Sequence, residues 1–590
     1  MSTKSIVLGL HCGHDAGACL MIDGKVVADA QEERFTRQKH CSGIPYHSIW
    51  FCIKHAGIDT GDIDAVATSH PHLKLEHFFL FPGMDVPTPR EAKTSIKQAL
   101  GLSPKKSSPK PPDFVQVPGK VQGQFEIFSN GPLKAPEYLQ QIETKASCKF
   151  FQFGHHECHA AGSYYTGSHA SFEKSVLVFV FDGIGDDTSI SVWKGHKGAM
   201  ELLKTYGREF SLGFFYSTVT EVLSYQVLDG EGTTMGLAPY GQYSEAVADI
   251  LESYLPKVVE QTPPDVPVGT VFRYDISGSP HFHLNRVNKL VKQLKGNSKE
   301  DIAFTAQALL EKEVLRICQH WMQVEGIEQV YLSGGVALNV KMNSVLAEKG
   351  IKSLEVFPNP GDGGLPFGNA LLASKALGHI PTPQLTSLYW GYSSNEDEIE
   401  YYLKSRGIRY SKPDNVFEAA ASLLSENKAI GWYQGAMESG PRALGNRSIL
   451  MSPSKAAHKD YLNEHVKYRQ GFRPFCPSLL EGHEHELLEG YDGKGKFMIR
   501  AYRVSEKGKD VMPAAVHVDG TTRPQVVGHE NERFKKLLEA FYSKTGIPVL
   551  INTSLNVKGE PIACTHVDAL KCFYTSGLHA LVLGNFIVYK

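Results

Sequence analysis

A short segment, residues 154–165, concentrates side chains that bind metal ions, with the sequence GHHECHAAGSYY. If this segment is helical, His155 and His159 lie four residues apart on one face, a spacing that lets two imidazoles reach one ion. His156 and Cys158 then point elsewhere. The alternative is a partly exposed helix whose histidines are satisfied by hydrogen bonds, and the segment alone does not decide between the two.

Two aspartates elsewhere favour the metal interpretation. Asp182 ends the apolar run VLVFVFD, where a strand tip would present its carboxylate, and Asp362 lies in the glycine-rich turn FPNPGDGGLPFGNA. Two imidazoles with two carboxylates suit a borderline-to-hard divalent ion better than a thiolate zinc site does. We therefore predict a metal bound by His155, His159, Asp182 and Asp362, with Fe as the first choice and Mn or Zn as alternatives.

Glycine-rich loops indicate a nucleotide beside this metal. In LSGGVALN a strand runs through Gly334 and Gly335 into a helix, and backbone N–H groups at such a start can face a phosphate. A tight strand-to-helix turn needs glycine in any case, so this motif alone is weak. Further glycine loops in the same part of the chain favour nucleotide and metal together, the metal orienting the phosphates, and they lie at 12–17, 183–185, 228–241 and 361–364.

The carboxy-terminal third gathers cationic side chains in the motifs SGPRALGNRS, VKYRQGFRPF and TTRPQ, followed by VLINTSLNVKGEPI. Arginine forks match phosphate oxygens two at a time, and the adjoining prolines restrict the backbone that carries them. Any one of these arginines is explained as readily by a solvated surface position. Together they favour an oxyanion pocket whose residues are Arg442, Arg447, Lys467, Arg473, Arg523 and Asn552.

The elements that must position these groups are α/β in character. Strand-like SIVLGL and ACLMID flank the loop HCGHDAG, and an apolar strand, a Gly/Asp loop and an alternating strand recur near residue 175. This recurrence favours a duplicated α/β half, although two hairpins also resemble each other by chance. Helical patterns cover 242–256 and 300–323. Residues 378–391 are the best linker, and strands are predicted beyond it in KAIGWYQG, KFMIRAYRV, AAVHVDG, IPVLINTS and ALVLGNFIVYK.

Composition limits the class of protein. A chain of 590 residues needs two or three domains, and its net charge of −2 gives no general attraction to nucleic acid or to an anionic membrane. Ten cysteines without a CxxC pair fit free thiols in a reducing compartment. The amino terminus lacks the pattern of a signal peptide, and no apolar stretch reaches the length of a membrane helix. We therefore predict a cytoplasmic, soluble protein without nucleic-acid or membrane partners.

Taken together, these motifs resemble the O-carbamoyltransferase family that includes nodulation-factor and antibiotic-tailoring enzymes. The resemblance runs in order along the whole chain. The matching stretches are HDAGACLMIDG, EERFTRQKH, HHECHAAGSYY, FDGIGDD, SLGFFY, MGLAPYG, SGGVALN, MESGPRALGNRSIL, FRPFCPS, TTRPQ and INTSLNVKGEPI.

The resemblance implies an α/β fold with two domains. An amino-terminal actin-like, ATPase-type (duplicated ribonuclease-H-like) domain would span 1–383 with an insertion near 83–120, and a YrdC-like domain would span 388–590. The second domain would convert carbamoyl phosphate and ATP, with Mg as an optional partner of ATP, to carbamoyl-adenylate. The first would then carbamoylate a hydroxyl of a small-molecule natural product in secondary-metabolite biosynthesis. The resemblance also leaves a homodimer open.

The same resemblance assigns roles to individual residues. His14 would be the general base on the acceptor hydroxyl, and Lys39, Gly334, Gly335 and Asn339 would contact the nucleotide or the intermediate. The cationic residues and Asn552 would bind carbamoyl phosphate and the ATP phosphates. One departure is Thr233, which stands where the family usually has a lysine, so one phosphate or substrate contact is in doubt.

Two other classes of protein are compatible with the motifs. A tRNA threonylcarbamoyl-adenosine modification enzyme would share both domains, but tRNA binding usually needs a basic face that the net charge does not indicate. A non-catalytic actin-like nucleotide-binding module would have no reason to keep His14, Asp15 and the arginines. Stable tRNA co-purification would favour the first alternative, and absence of ATP turnover with carbamoyl phosphate would favour the second.

Overall fold

The structure is a computed structural model, and it describes most of the chain. The described residues are 4–69, 124–127, 144–145, 147–168, 173–266, 273–274, 280–281, 284–379 and 385–590. The predicted insertion near 83–120 lies outside them, as does part of the predicted linker, residues 380–384.

The first sheet has the spatial order β3-β2-β1-β4-β6-β5. Its first three strands form an antiparallel meander, as predicted, and β4 and β6 continue the sheet parallel to β1. The strands are β1 Ile6–His11, β2 Gly17–Ile22, β3 Lys25–Gln31, β4 Ala65–Thr68, β5 Gln124–Ile127 and β6 Lys149–Gln152.

The second sheet repeats this plan. Its strands are β7 Val176–Gly185, β8 Thr188–His196, β9 Ala199–Gly207 and, after the short pair β10 Arg273–Tyr274 and β11 Pro280–His281, β12 Gln329–Ser333 and β13 Ser353–Val356. The order β13-β12-β7-β8-β9 again places a meander beside two parallel strands. The predicted duplication of an actin-like, ribonuclease-H-like half is therefore confirmed.

Helices cover and join these two sheets. They are α1 Glu33–Thr36, α2 Tyr46–Ala56, α3 His155–Tyr164, α4 Leu212–Val222, α5 Glu231–Leu237, α6 Glu245–Glu252, α7 Leu284–Gln293, α8 Lys299–Glu325, α9 Val340–Glu348 and α10 Leu365–Ala376. The predicted helix over 242–256 is shorter than expected, because the Ser244 hydroxyl accepts the Val247 N–H and so fixes where α6 begins. The α8 helix ends at Gly326, which adopts a left-handed conformation.

The carboxy-terminal part is built on one mixed sheet of eight strands, with the order β14-β23-β22-β15-β16-β21-β17-β20. The strands β18 and β19 form a separate two-stranded sheet. The strands in this part are β14 Tyr410–Ser411, β15 Ile430–Tyr433, β16 Arg447–Met451, β17 Cys476–Leu480, β18 Tyr502–Arg503, β19 Thr521–Thr522, β20 Gln525–Val527, β21 Val549–Ser554, β22 Ala580–Leu583 and β23 Phe586–Tyr589. Its helices are α11 Glu396–Ser405, α12 Val416–Ser425, α13 Ala457–Tyr461, α14 Glu484–Leu487, α15 Glu506–Val511, α16 Glu532–Thr545 and α17 His566–Tyr574.

Two predicted strands were wrong. KFMIRAYRV contributes only the two residues Tyr502 and Arg503, and AAVHVDG contains no strand. Pro513 instead opens a short 3₁₀ turn. The Gly520 N–H donates to the carbonyl of His517 at 2.9 Å, and the His517 N–H donates to the carbonyl of Thr521 at 2.8 Å. The alternating pattern was misleading because this backbone satisfies its hydrogen bonds locally.

Buried polar contacts join the two parts of the chain. Asn343 donates to the carbonyl of Ile499 at 2.8 Å, and the Arg34 guanidinium donates to the carbonyl of Gly440 at 2.9 Å. The proposed domain limits, 1–383 and 388–590, stay predictions. Among the described residues, no helix has the length and apolar character that a membrane crossing requires.

Candidate active site in a shared cavity

One cavity of about 810 Å³ lies where the two parts of the chain meet. His14, Asp182 and Asp362 line one end of it. Arg442, Arg473 and Arg523 line the other end, which comes from the carboxy-terminal sheet and its loops. Two of the residues predicted for metal binding, Asp182 and Asp362, therefore face the same space as most of the residues predicted for oxyanion binding.

The structure brings the four predicted metal ligands together as a buried histidine–aspartate cluster: His155, His159, Asp182 and Asp362. Nε2 of His155 lies 3.2 Å from Oδ2 of Asp182 and 3.2 Å from Nε2 of His159. Oδ1 of Asp362 lies 3.5 Å from Nε2 of both histidines. Metal bonds of about 2.0–2.2 Å at tetrahedral to octahedral angles place neighbouring donor atoms roughly 3–3.5 Å apart. The cluster therefore fits one divalent ion.

Local sequence explains how this cluster is held. The α3 helix begins at His155, whose N–H donates to the Asp186 carboxylate at 2.7 Å. Gly185 allows the close approach of β7, because a Cβ there would lie 2.2 Å from Cδ2 of His155. His156, on the other face, bonds Ser191 and the carbonyl of Thr188 at 2.9 and 3.0 Å, which makes it a structural residue.

The sequence predicted that Asp182 ends its strand, and the structure shows that it does not. The β7 strand continues to Gly185, but its pairing with β8 is irregular between Phe181 and Gly185, and the Asp182 carboxylate leaves the sheet within this irregular stretch. Its Oδ1 accepts the N–H of Gly335 at 3.0 Å. A bulge beside a functional group is a common way to re-aim a side chain.

Burial and charge fix the ionisation of the cluster. Burial opposes ionisation of both aspartates, but the neighbouring histidines outweigh it, so that the pKa of Asp182 falls to about 2 and that of Asp362 falls well below its ordinary value. Burial would lower the pKa of His155, but the charges of Asp362 and Asp182 raise it well above its usual range. Two ionised carboxylates in a buried space attract a cation, and which of Fe, Mn or Zn is native stays a prediction.

His14 stands beside this cluster in the loop after β1. Its Nε2 lies 3.3 Å from Oδ2 of Asp362, its Nδ1 lies 3.1 Å from Oδ2 of Asp15, and its side chain is 43% exposed. Burial disfavours its protonation, but the two carboxylates raise the pKa of His14 to about 9. A cation bound at Asp362 would neutralise much of that charge and return the imidazole toward its ordinary basicity.

The residues predicted to contact the nucleotide divide into two groups. Lys39 and Gly335 line the cavity, and Nζ of Lys39 lies 2.5 Å from Oδ1 of Asp229. Gly334 does not line it: this residue has φ +87°, and a Cβ there would lie 2.2 Å from the carbonyl oxygen of Phe181, so close packing explains the glycine.

Asn339 reaches the cavity, but its side chain is already bonded. Its Oδ1 accepts the Met342 N–H at 3.0 Å, capping α9, and its amide exchanges hydrogen bonds with Gln307 at 2.9 and 3.0 Å. Helix capping is therefore enough to explain why asparagine stands at this position, and no ligand is needed to explain it. Its contact with a nucleotide stays a prediction.

Four arginines form the other end of the cavity, which we call the arginine pocket: Arg442, Arg469, Arg473 and Arg523. Burial and mutual repulsion lower the pKa of Arg442 to about 9, and burial and Arg473 do the same for Arg469. Among the described residues, neither guanidinium has a carboxylate that offsets this repulsion. Sequence reasoning missed Arg469, although it stands in VKYRQGFRPF between two residues that were chosen.

Lys467 and Asn552 line the same end with their donors already in use. Nζ of Lys467 donates to the carbonyls of Ser554 and Asn556 at 2.9 Å, and burial lowers the pKa of Lys467 to about 7. Nδ2 of Asn552 donates to Ser478 and Gln525 at 2.9 and 3.1 Å, whereas its buried Oδ1 has no partner among the described residues. Asn552 lines the cavity, and its contact with carbamoyl phosphate or ATP stays a prediction.

Arg447 does not join the pocket. It is fully buried, its guanidinium stacks on Tyr433 at 3.8 Å, and it does not line the cavity. Its N–H groups donate to five backbone carbonyls, those of Tyr392, Gln434, Gly435, Asn446 and Cys564. Because it lies outside the cavity and bonds these carbonyls, Arg447 is explained as a structural residue, and its predicted role in carbamoyl phosphate or ATP binding stays a prediction.

Comparison with known proteins identifies the class. The family model described as the carbamoyltransferase N-terminus matches residues 6–371, and the carbamoyltransferase C-terminus matches 421–590. Nodulation protein NolNO of Sinorhizobium fredii is 31% identical over 98% of this chain and 79% of its own. Nodulation protein NolO of Bradyrhizobium diazoefficiens is 35% identical over 74% of this chain and 78% of its own.

Among solved structures, component A of (R)-2-hydroxyglutaryl-CoA dehydratase from Acidaminococcus fermentans is similar to this chain at 14% identity and a TM-score of 0.31. It covers 64% of this chain and 99% of its own. A TM-score of this size supports no conclusion about function. The family models and the relatives, in contrast, show that this chain belongs to the carbamoyltransferase family. It is an enzyme that transfers a carbamoyl group.

Proposed function

We propose that this protein is an ATP-dependent O-carbamoyltransferase that activates carbamoyl phosphate at the arginine pocket and carbamoylates a small-molecule hydroxyl beside the histidine–aspartate cluster. The observation that carries the proposal is the single cavity of about 810 Å³ that both ends share. A mixed anhydride of carbamic acid hydrolyses readily in water. A continuous cavity would let it pass between two reactions without release to solvent.

The activation step suits the arginine pocket. Carbamoyl phosphate and ATP together bring many phosphate oxygens, and Arg442, Arg473 and Arg523 supply forked donors for them. Water first cleaves the bond between the carbamate oxygen and phosphorus in carbamoyl phosphate, which gives carbamate and phosphate. The carbamate oxygen then attacks the α-phosphorus of ATP, the bond from that phosphorus to the oxygen bridging to the β-phosphate breaks, and carbamoyl-adenylate and pyrophosphate form.

The transfer step suits the other end. The acceptor oxygen attacks the carbamoyl carbon, the bond from that carbon to the phosphate oxygen breaks, and AMP leaves. The acceptor proton would pass to Nε2 of His14, which lies 3.3 Å from Oδ2 of Asp362. A divalent ion held by His155, His159, Asp182 and Asp362 would supply positive charge for the leaving phosphate.

The test is direct. The protein is incubated with ATP, carbamoyl phosphate and a panel of hydroxylated small molecules, and pyrophosphate, AMP and the mass of each acceptor are measured. We expect pyrophosphate only when carbamoyl phosphate is present, and one acceptor class that gains the mass of one carbamoyl group. Carbamoylation without ATP consumption would refute the adenylate route, and absence of any carbamoylated acceptor would refute the small-molecule assignment.

A further inference from the structure

A chain of alternating histidines and carboxylates extends from the general base away from the metal ligands. Oδ2 of Asp15 lies 3.1 Å from Nδ1 of His14, and Oδ1 of Asp15 lies 2.9 Å from Nδ1 of His40. Nε2 of His40 lies 3.6 Å from Oδ1 of Asp229, the carboxylate that also binds Lys39. The chain thus joins three loops that are distant in sequence.

The hydrogen-bond chemistry of Asp15 fixes the proton positions of its neighbours. An ionised carboxylate only accepts hydrogen bonds, so the nitrogens that face it, Nδ1 of His14 and Nδ1 of His40, must both carry protons. The two imidazoles lower the pKa of Asp15 and so keep this half-buried carboxylate ionised. In neutral His14 the lone pair is then on Nε2. This nitrogen lies 3.3 Å from Oδ2 of Asp362, and a cation bound at Asp362 would offset the negative charge that otherwise favours a second proton there.

Backbone conformation shows that these residues are held in place. Asp15 and His40 adopt φ values of +61° and +52°, and Leu228, which precedes Asp229, adopts +72°. All three lie in the left-handed region, which residues other than glycine seldom occupy, and all three line the cavity. The N–H of His40 also donates to Oε2 of Glu33 at 3.2 Å. Strained backbone that surrounding contacts impose is typical of functional sites.

We propose that Asp15 and His40 are positioning residues for carbamoyl transfer. Asp15 holds His14 in the tautomer whose Nε2 can accept the acceptor proton, and His40 holds Asp15. This inference rests on the proposed function. It adds two residues to the transfer step and predicts that neither takes part in forming carbamoyl-adenylate.

The decisive variant is Asp15→Asn, which keeps the shape and tolerates the left-handed backbone. The amide replaces one of the two carboxylate oxygens by an NH₂ donor. Since Oδ2 faces His14 and Oδ1 faces His40, one of the two imidazoles then meets a donor and must change tautomer or lose its bond. We expect kcat for carbamoyl transfer to fall about 100-fold with the acceptor KM changed less than about threefold. Pyrophosphate release should continue at the wild-type rate.

His40 provides the test by rescue. His40→Ala removes the donor to Asp15 and should lower the transfer rate about 10-fold, whereas His40→Asn keeps an N–H near the position of Nδ1 and should restore most of that loss. The matched control is Asp23→Asn, because Asp23 also has a positive φ, of +51°, but lies in the β2–β3 turn and does not line the cavity. A purely structural role would lower transfer and pyrophosphate release together.

The outcomes separate this inference from the proposal on which it rests. If the wild-type protein carbamoylates an acceptor and Asp15→Asn does so at the same rate, the inference is overturned and the proposed function stays intact. An equal loss of pyrophosphate release and transfer in Asp15→Asn would also overturn it. If the wild-type protein carbamoylates no acceptor, the proposed function fails and the inference fails with it.

Discussion

The two ends of the cavity handle charge in opposite ways. In the histidine–aspartate cluster each carboxylate has imidazoles within 3.2–3.5 Å, so the charges offset one another within the protein. In the arginine pocket, like charges crowd together, and the pKa of Arg442 and Arg469 falls to about 9. The first arrangement is complete without substrate and suits a resident cation. The second is strained by repulsion until an anion enters, which suits a substrate that comes and goes.

The largest effect is expected at the cluster. Asp362→Ala removes the carboxylate that both histidines and His14 face, so bound metal and carbamoylated product should both fall to background. Elemental analysis of the purified variant measures the first and mass spectrometry the second. His196→Ala, at an imidazole outside the cavity, is the control. Full metal occupancy in Asp362→Ala would show that these residues are not the ligands.

The next effect is expected at the arginine pocket. Arg523→Ala should lower pyrophosphate release from ATP and carbamoyl phosphate by roughly 100-fold, because charge-assisted contacts to phosphate are lost. Bound metal should be unchanged, which would separate the two ends. Arg503→Ala, at an exposed arginine of the neighbouring strand β18, is the control. Wild-type pyrophosphate release with loss of carbamoylation would place activation elsewhere.

The third prediction tests whether the ends work in sequence. His14→Asn keeps a hydrogen-bonding group of similar shape but cannot take up a proton, so carbamoyl transfer should fall about 100-fold. Pyrophosphate release should continue. The two rates, measured in one reaction, should therefore become uncoupled. An unchanged transfer rate would remove His14 from the mechanism.

The smallest effect concerns the junction between the ends. Asp29 is buried in β3 and accepts a hydrogen bond from Ser439 of the carboxy-terminal part, and burial, only partly offset by that bond, raises its pKa to about 7. The folded state thus binds a proton that the unfolded chain releases near pH 4, so this group lowers stability as the pH rises from about 4 to about 7.

Asp29→Asn removes this titration and should raise Tm by a few degrees at pH 8 while changing it little at pH 5. Scanning calorimetry at the two pH values measures the difference, with Asp23→Asn as the exposed control. A larger gain at pH 5 than at pH 8 would contradict the raised pKa. A gain confined to pH 8 would show that Asp29 differs from both ends of the cavity, because the protein avoids this negative charge by keeping the carboxyl group protonated.

Local patterns in the sequence were enough to predict that His155, His159, Asp182 and Asp362 come together in the fold. The spacing of His155 and His159 fits one face of a helix, and glycines mark the turns around Asp182 and Asp362. The paired hairpins likewise predicted the duplicated sheets. These predictions succeeded because each depends on the period of one element or on a short turn, which the residues in that segment control directly. The identity of the metal and the roles in catalysis stay predictions.

Only the tertiary structure decided which cations are available to a ligand. Arg447 and Arg442 stand in one motif, yet Arg447 is surrounded by carbonyls from segments as distant as Tyr392 and Cys564, whereas Arg442 faces the cavity. The chain from Asp15 through His40 to Asp229 joins three separate loops for the same reason. Long-range packing sets what surrounds a side chain, and a motif within one segment carries no information about partners that fold in from elsewhere.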